Sequence, residues 1–186
     1  LLEESYSEFT PHTVTVVTPP WNFPIAIPTG GIAASLAAGS AVIVKPAPQV
    51  VHCGKLVVEA FRTALEAQGL DPDLVQLVLT DEAAAGKALL SHDDVDNVIL
   101  TGASDTGALF RSWKPKMNIM AETSGKNALI ITPAADPDLA IDDLYNSAFG
   151  HSGQKCSAAS LVIFVGAAGK SERLRTQLLD AVKTLK

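Results

Sequence analysis

Short apolar runs alternate with helical segments along the whole chain, and that alternation constrains the fold more than any other feature. Thr13 to Thr18 reads as a strand, followed by a turn built on Pro19, Pro20 and Pro24. Thr29 to Ala38 is rich in Ala and Gly, which suits a helix packed closely on its neighbours. Ser40 to Lys45 is the next strand, and Val50 to Gln68 carries helical apolar spacing up to Gly69, a helix-ending residue. Leu74 to Leu79 and Asn97 to Thr101 read as strands, with helices over Ala83 to Leu90 and Thr106 to Trp113. Beyond Pro115, Met117 to Glu122, Ala128 to Ile131 and Leu161 to Val165 are strands, with helices from about Pro137 to Phe149 and over Ser171 to Leu185. Repetition of strand and helix predicts βαβ units and an α/β fold with a mostly parallel sheet flanked by helices. A weak boundary falls between Glu122 and Lys126. Sheets of this kind bind ligands at the carboxyl ends of their strands, where a connection changes direction.

Composition narrows the function. The 186 residues suit one domain or slightly more, and 47% are apolar with few aromatics, as buried parallel strands require. A formal charge of −6 argues against nucleic-acid binding, which calls for a basic stripe. No apolar run reaches the roughly 18 residues of a membrane span, and no signal peptide opens the chain. The two cysteines, Cys53 and Cys156, form no disulfide framework and no zinc spacing, so a cytoplasmic setting is expected. His12, His52, His92 and His151 make no ligand pair, and no metal is expected.

Cys156 stands apart from Cys53. It lies in Gly150-His151-Ser152-Gly153-Gln154-Lys155-Cys156-Ser157-Ala158, where small neighbours give access and Gln154, Lys155 and backbone amides favour a thiolate. Cys53 starts an apolar helix and reads as core. Pro20-Trp21-Asn22-Phe23-Pro24 is a rigid turn whose Asn22 either satisfies the turn itself or serves as an oxyanion donor. Lys45 closes a strand, either solvated or facing ribose hydroxyls or phosphate in the ligand crevice. Thr101-Gly102-Ala103 leads from a strand towards a helix and would let amides approach a pyrophosphate, although no GxGxxG or P-loop occurs. Glu122 is either a solvated strand end or, if buried with its pKa raised, a general base. A cysteine hydrolase is the competing chemistry for Cys156. His151 lies five residues upstream, but no Cys-His-Asn order supports a triad.

Together these motifs resemble, in order and spacing, those of the aldehyde dehydrogenase superfamily. Pro20 to Pro24, Lys45-Pro46, Thr101-Gly102, Glu122-Thr123-Ser124-Gly125-Lys126-Asn127 and Gly153-Gln154-Lys155-Cys156 carry the likeness, with 34 positions from Glu122 to Cys156. The wording around Glu122 and Cys156 resembles the L-glutamate γ-semialdehyde (1-pyrroline-5-carboxylate) dehydrogenases, notably the bacterial bifunctional proline-utilisation form. The resemblance implies a Rossmann-like cofactor domain, most of it within residues 1–122, and the start of an α/β catalytic domain over 123–186. It implies NAD(P)-dependent oxidation of an aldehyde to a carboxylate in proline catabolism. In that scheme Cys156 attacks the aldehyde, and Asn22 with the Cys156 amide holds the oxyanion. Hydride then passes to the nicotinamide, and Glu122 activates the hydrolytic water. Lys45 bonds the adenosine ribose, Thr101, Gly102 and Ala103 lie beside the pyrophosphate, and Glu122 also borders the cofactor. Trp21 and Phe23 shape the cofactor channel and pocket, and Ser157 bonds the substrate α-carboxylate.

Departures from the family pattern qualify these expectations. The glutamate expected three residues after Lys45 is Pro48, so NAD is expected with NADP possible. Leu79-Thr80 replaces a usual Pro-Gly, and Ala103 a common serine. Nothing after Cys156 resembles the later glutamate-phenylalanine motif. The expectation is therefore a fragment, catalytically silent by itself, of a longer homo-oligomeric enzyme that in its bifunctional form also carries a proline dehydrogenase. The competing readings are a nucleotide-binding piece without chemistry and an aldehyde dehydrogenase of another substrate class.

Overall fold

The structure is a computed structural model describing residues 6–81 and 83–185. It divides into two compact units, the first ending at Thr123 and the second beginning at Ser124.

The first unit is a five-stranded parallel sheet. Its strands are β1 (Val14–Thr18), β2 (Ala41–Val44), β3 (Val75–Leu77), β4 (Asn97–Gly102) and β5 (Ile119–Thr123), in the spatial order β3-β2-β1-β4-β5. Helices α1 (Ala26–Ala37), α2 (Val51–Ala67), α3 (Ala84–Ser91) and α4 (Ser104–Trp113) make the crossovers. Consecutive valines of β1 point to opposite faces, so the strand feeds two cores. Val17 packs with Ile32 of α1, Val57 and Val58 of α2, and Val42, Val44 and Val75. Val16 packs with Leu90 of α3, Phe110 of α4, and Val98 and Leu100. The order runs outward from β1 to β3 and then restarts at β4 on the other side of β1. The carboxyl ends of β1 and β4 therefore flank the switch point, where a doubly wound sheet opens a crevice.

The closeness of α1 to the sheet follows from its glycines. A Cβ on Gly31 would lie 2.9 Å from Val17 Cγ1, so only hydrogen fits there. This helix starts at Ala26 rather than Thr29, because Pro28 sits in its first turn, where a missing N–H costs nothing. Cys53 is half-buried rather than core, since the buried stripe of α2 runs through Gly54, Val57 and Val58. Asp96 stitches β1 to β4: its Oδ2 accepts from Thr13 N at 2.6 Å and Val14 N at 3.3 Å. Those two backbone bonds hold its carboxyl below the usual carboxylate range.

The second unit has a two-stranded parallel sheet, β6 (Ala128–Ile131) and β7 (Leu161–Phe164), joined through α5 (Pro137–Phe149) and followed by α6 (Glu172–Lys183). Asp136 caps α5 by accepting from Asp138 N and Leu139 N, and Ser171 caps α6 through Leu174 N. Ile131, Ile141, Leu144, Ala168 and Leu174 form the core. Asp138 ties the helices together by accepting from Gln177 and, at 2.8 Å, from Arg173. Gln177 and then Arg173 hold its carboxyl below its ordinary range. Among the described residues, no helix is long and apolar enough to cross a membrane.

Candidate active site

Parallel pairing brings eight of the sequence-predicted site residues to one edge of the first sheet. The Pro20–Pro24 turn leaves the carboxyl end of β1, carrying exposed Trp21 and half-buried Asn22 and Phe23. Lys45 leaves β2 beside it, fixed by Lys45 N donating to Val17 O at 2.9 Å. Thr101 and Gly102 end β4, and Thr101 is registered directly opposite Glu122 of β5. Ala103 is the N-terminal cap residue of α4, and no side-chain bond caps that helix. Thr106 N and Gly107 N turn back to Ala103 O at 3.1 and 3.4 Å. The start of α4 thus offers main-chain donors and the positive end of its dipole to the same edge, an arrangement that suits an anion.

One part of the edge departs from the family pattern yet still fits a nucleotide. Thr80, just beyond β3, has a buried hydroxyl without a hydrogen-bond partner. A Cβ on Gly86 would lie 3.4 Å from that oxygen and 3.8 Å from Lys45 Cε, so the glycine keeps space open between them. Lys45 Nζ and the Thr80 hydroxyl supply the donors and acceptor that ribose hydroxyls require. The sequence pointed to Lys45 but not to Thr80, whose orphaned oxygen is visible only after folding. Burial expected for Glu122 is absent: β5 is an edge strand, and Met120 through Thr123 are exposed.

Cys156 and Ser157 belong to the second unit, and both are exposed. They are the central residues of a turn closed by Ala158 N donating to Lys155 O at 3.1 Å. The chain reaches this turn through three successive left-handed residues, His151 (φ 56°), Ser152 (φ 56°) and Gly153 (φ 69°). Side chains rarely adopt that conformation, which costs about 1–2 kcal/mol per residue. Gly153 is required for a second reason, since a Cβ there would meet Ala148 O at 2.9 Å. Strain of this kind persists only where surrounding contacts over-determine it, and it clusters at functional segments.

Downstream of that entry, the turn and the strand after it are tied by residues to which the sequence assigned no role. Asn127 Nδ2 donates to Cys156 O and, at 3.1 Å, to Ala158 O. Asn127 O accepts from Ser160 N at 3.0 Å and Leu161 N at 3.1 Å. Ser147 of α5 accepts from Ala159 N at 3.0 Å.

Comparison with known proteins agrees with this geometry. The profile of the aldehyde dehydrogenase family matches residues 2–186. The chain is 31% identical to 1-pyrroline-5-carboxylate dehydrogenase of Bacillus pumilus (strain SAFR-032), over 98% of the chain and 35% of that protein. It is 61% identical to Proline Utilization A of Corynebacterium freiburgense, with a TM-score of 0.88 over 98% of the chain and 18% of that structure. Betaine aldehyde dehydrogenase of Staphylococcus aureus, solved in complex with NAD+, is 30% identical with a TM-score of 0.85, over 95% of the chain and 34% of that structure. The chain thus spans about a third of the length of the curated relative.

Proposed function

This chain belongs to the aldehyde dehydrogenase family, and from that premise we propose that it is part of an NAD(P)-dependent enzyme oxidising an aldehyde to a carboxylate. We assign L-glutamate γ-semialdehyde as substrate, in the oxidation of proline to glutamate. The observation that carries the activity is the gathering of Asn22, Lys45, Thr101, Gly102, Ala103 and Glu122 at the carboxyl edge of one sheet. The 61% identity to Proline Utilization A supports the substrate.

In this reading Cys156 is the nucleophile. Its thiolate adds to the aldehyde carbon, a C–S bond forms, and the carbonyl electron pair moves to oxygen. Asn22 Nδ2 and the Cys156 amide stabilise that oxyanion, and preorganised donors of this kind contribute on the order of 10²–10³ in rate each. The oxyanion electron pair then re-forms the carbonyl as hydride leaves that carbon, which NAD+ would accept when bound, and Cys156 is left carrying a thioester. Glu122 then takes a proton from water as the water oxygen attacks the thioester, and the sulfur leaves as thiolate. Lys45, with Thr80, holds the adenosine ribose, and Thr101, Gly102 and Ala103 border the pyrophosphate at the α4 terminus. Trp21 and Phe23 wall the channel and pocket, and Ser157 bonds the substrate α-carboxylate. With Pro48 in place of an acid beside Lys45, NADP is the second coenzyme to test.

Residues 1–122 are assigned to the cofactor domain and 123–186 to the catalytic domain of a longer, homo-oligomeric enzyme. Its fusion to a proline dehydrogenase agrees with the 18% coverage of Proline Utilization A. The two free cysteines suit a reducing cytoplasm.

The test is steady-state kinetics of the full-length enzyme with glutamate semialdehyde, succinate semialdehyde and simple aliphatic aldehydes, beside Cys156→Ala. Highest kcat/KM for glutamate semialdehyde, and none in the variant, is expected. Full activity in the variant overturns the mechanism, and a preference for another aldehyde overturns the substrate.

A further inference from the structure

We infer that Asn127 is a positioning residue for the nucleophile, a clamp whose side chain fixes the Cys156 turn while its backbone anchors the strand that follows. The inference rests on the reading of Cys156 as nucleophile. It stands on four hydrogen bonds from one residue to one short segment. The side-chain amide has two N–H groups, and both are spent on carbonyls of the turn, Cys156 O and Ala158 O. The carbonyl of Asn127 accepts from Ser160 N and Leu161 N, the latter opening β7.

Each bond has a separate consequence. Binding Cys156 O fixes the peptide plane between Cys156 and Ser157, and with it ψ of Cys156. The Cα–Cβ direction is thereby set against a rigid strand rather than a free loop. Binding Ala158 O fixes the far side of the same turn, so the pair of bonds resists rotation where one alone would act as a pivot. The bonds to Ser160 and Leu161 place Asn127 in the β6–β7 ladder, one position ahead of the Ala128–Leu161 pair.

Neighbouring interactions show why a clamp is needed. His151 and Ser152 enter the segment in left-handed conformations, which persist only where surrounding contacts over-determine them. Among the described residues, the Ser147 hydroxyl of α5 accepts from Ala159 N, which lies beyond the turn. Chemistry also selects the residue type. Aspartate has no donors when ionised, and serine has one. Asparagine at the mouth of a strand supplies two donors on a short stem.

The experiment compares wild type, Asn127→Ala and Asn127→Asp as full-length enzymes. Two readouts are taken: steady-state kinetics with glutamate semialdehyde, and alkylation of Cys156 by iodoacetamide across pH, followed by peptide mass spectrometry. In both variants kcat should fall on the order of 10- to 100-fold, the size of effect that follows misplacement of a reacting atom by about 1 Å. KM for NAD should not change, because the ribose and pyrophosphate contacts lie in the first unit. The alkylation rate should fall, because the thiol is no longer presented from a fixed turn. A folded variant with wild-type alkylation rate overturns the clamp. Should neither variant fold, a crystal structure of the wild-type enzyme decides: Asn127 Nδ2 within hydrogen-bond reach of Cys156 O supports it, and separation beyond about 3.5 Å overturns it. A wild-type enzyme that oxidises no aldehyde refutes the proposed function, while the alkylation comparison still reports on the clamp.

Discussion

Two thiols in one chain illustrate what a residue's neighbours reveal. Cys156 was legible because its neighbours are small or polar, and it is indeed exposed. Cys53 was misread because apolar periodicity locates a helix face only approximately, and this thiol lies off the stripe of Gly54 and Val57. Asn127 was quoted within a motif but given no role, since its side-chain partners lie 29 and 31 positions away and no local pattern encodes them. At this scale two outcomes follow for the full-length enzyme. Asn22→Ala should lower kcat on the order of 10²–10³ by removing one oxyanion donor, measured as steady-state NADH formation. Glu122→Gln should lower steady turnover by about 10²–10⁴ while leaving a first burst of NADH, because hydrolysis and not hydride transfer needs the base. Stopped-flow absorbance separates the two phases, and a variant without the burst contradicts the assignment of Glu122.

Elements were legible through period and punctuation, with errors confined to their ends. The strand expected over Leu74 to Leu79 pairs only from Val75 to Leu77, because Pro72 starts a short 3₁₀ turn and the chain leaves the ladder before Leu79. Adjacent glycines of α1 make a paired test of packing against propensity. Gly30 faces open space, so Gly30→Ala should stabilise the chain by about 0.5–1 kcal/mol through lower unfolded-state entropy. Gly31→Ala drives a methyl into Val17, buried to 1% on the central strand, and overpacking of about 1–3 kcal/mol should outweigh that gain. Urea unfolding of the two variants, shifting in opposite directions, checks both. Asp96 adds a pH signature between β1 and β4. Its folded-state pKa lies below the unfolded value of about 3.9, so its contribution is complete above that value and lost as pH falls through the folded pKa. Thermal midpoints of wild type should therefore decline below about pH 4, and Asp96→Asn should flatten that decline.

For the molecule as a whole, the second unit sets what the 186 residues can do alone. Parallel sheets are ordinarily covered on both faces, yet Ile130, Leu161 and Ile163 of β6 and β7 are 62%, 46% and 42% exposed. The chain should therefore bind an apolar fluorescent dye, and dye emission unchanged by added protein would refute that expectation. The sequence by itself determined the order of strands and helices, the parallel sheet and the accessibility of Cys156. Periodicity, prolines and glycines act over a few residues, and that is the range a linear reading resolves. Tertiary structure decided which strand ends share an edge, how Gly86 keeps space beside both the orphaned Thr80 hydroxyl and Lys45, and what holds the cysteine turn. Each of these depends on hydrogen bonding or steric exclusion between groups that only the folded backbone brings within a few ångströms.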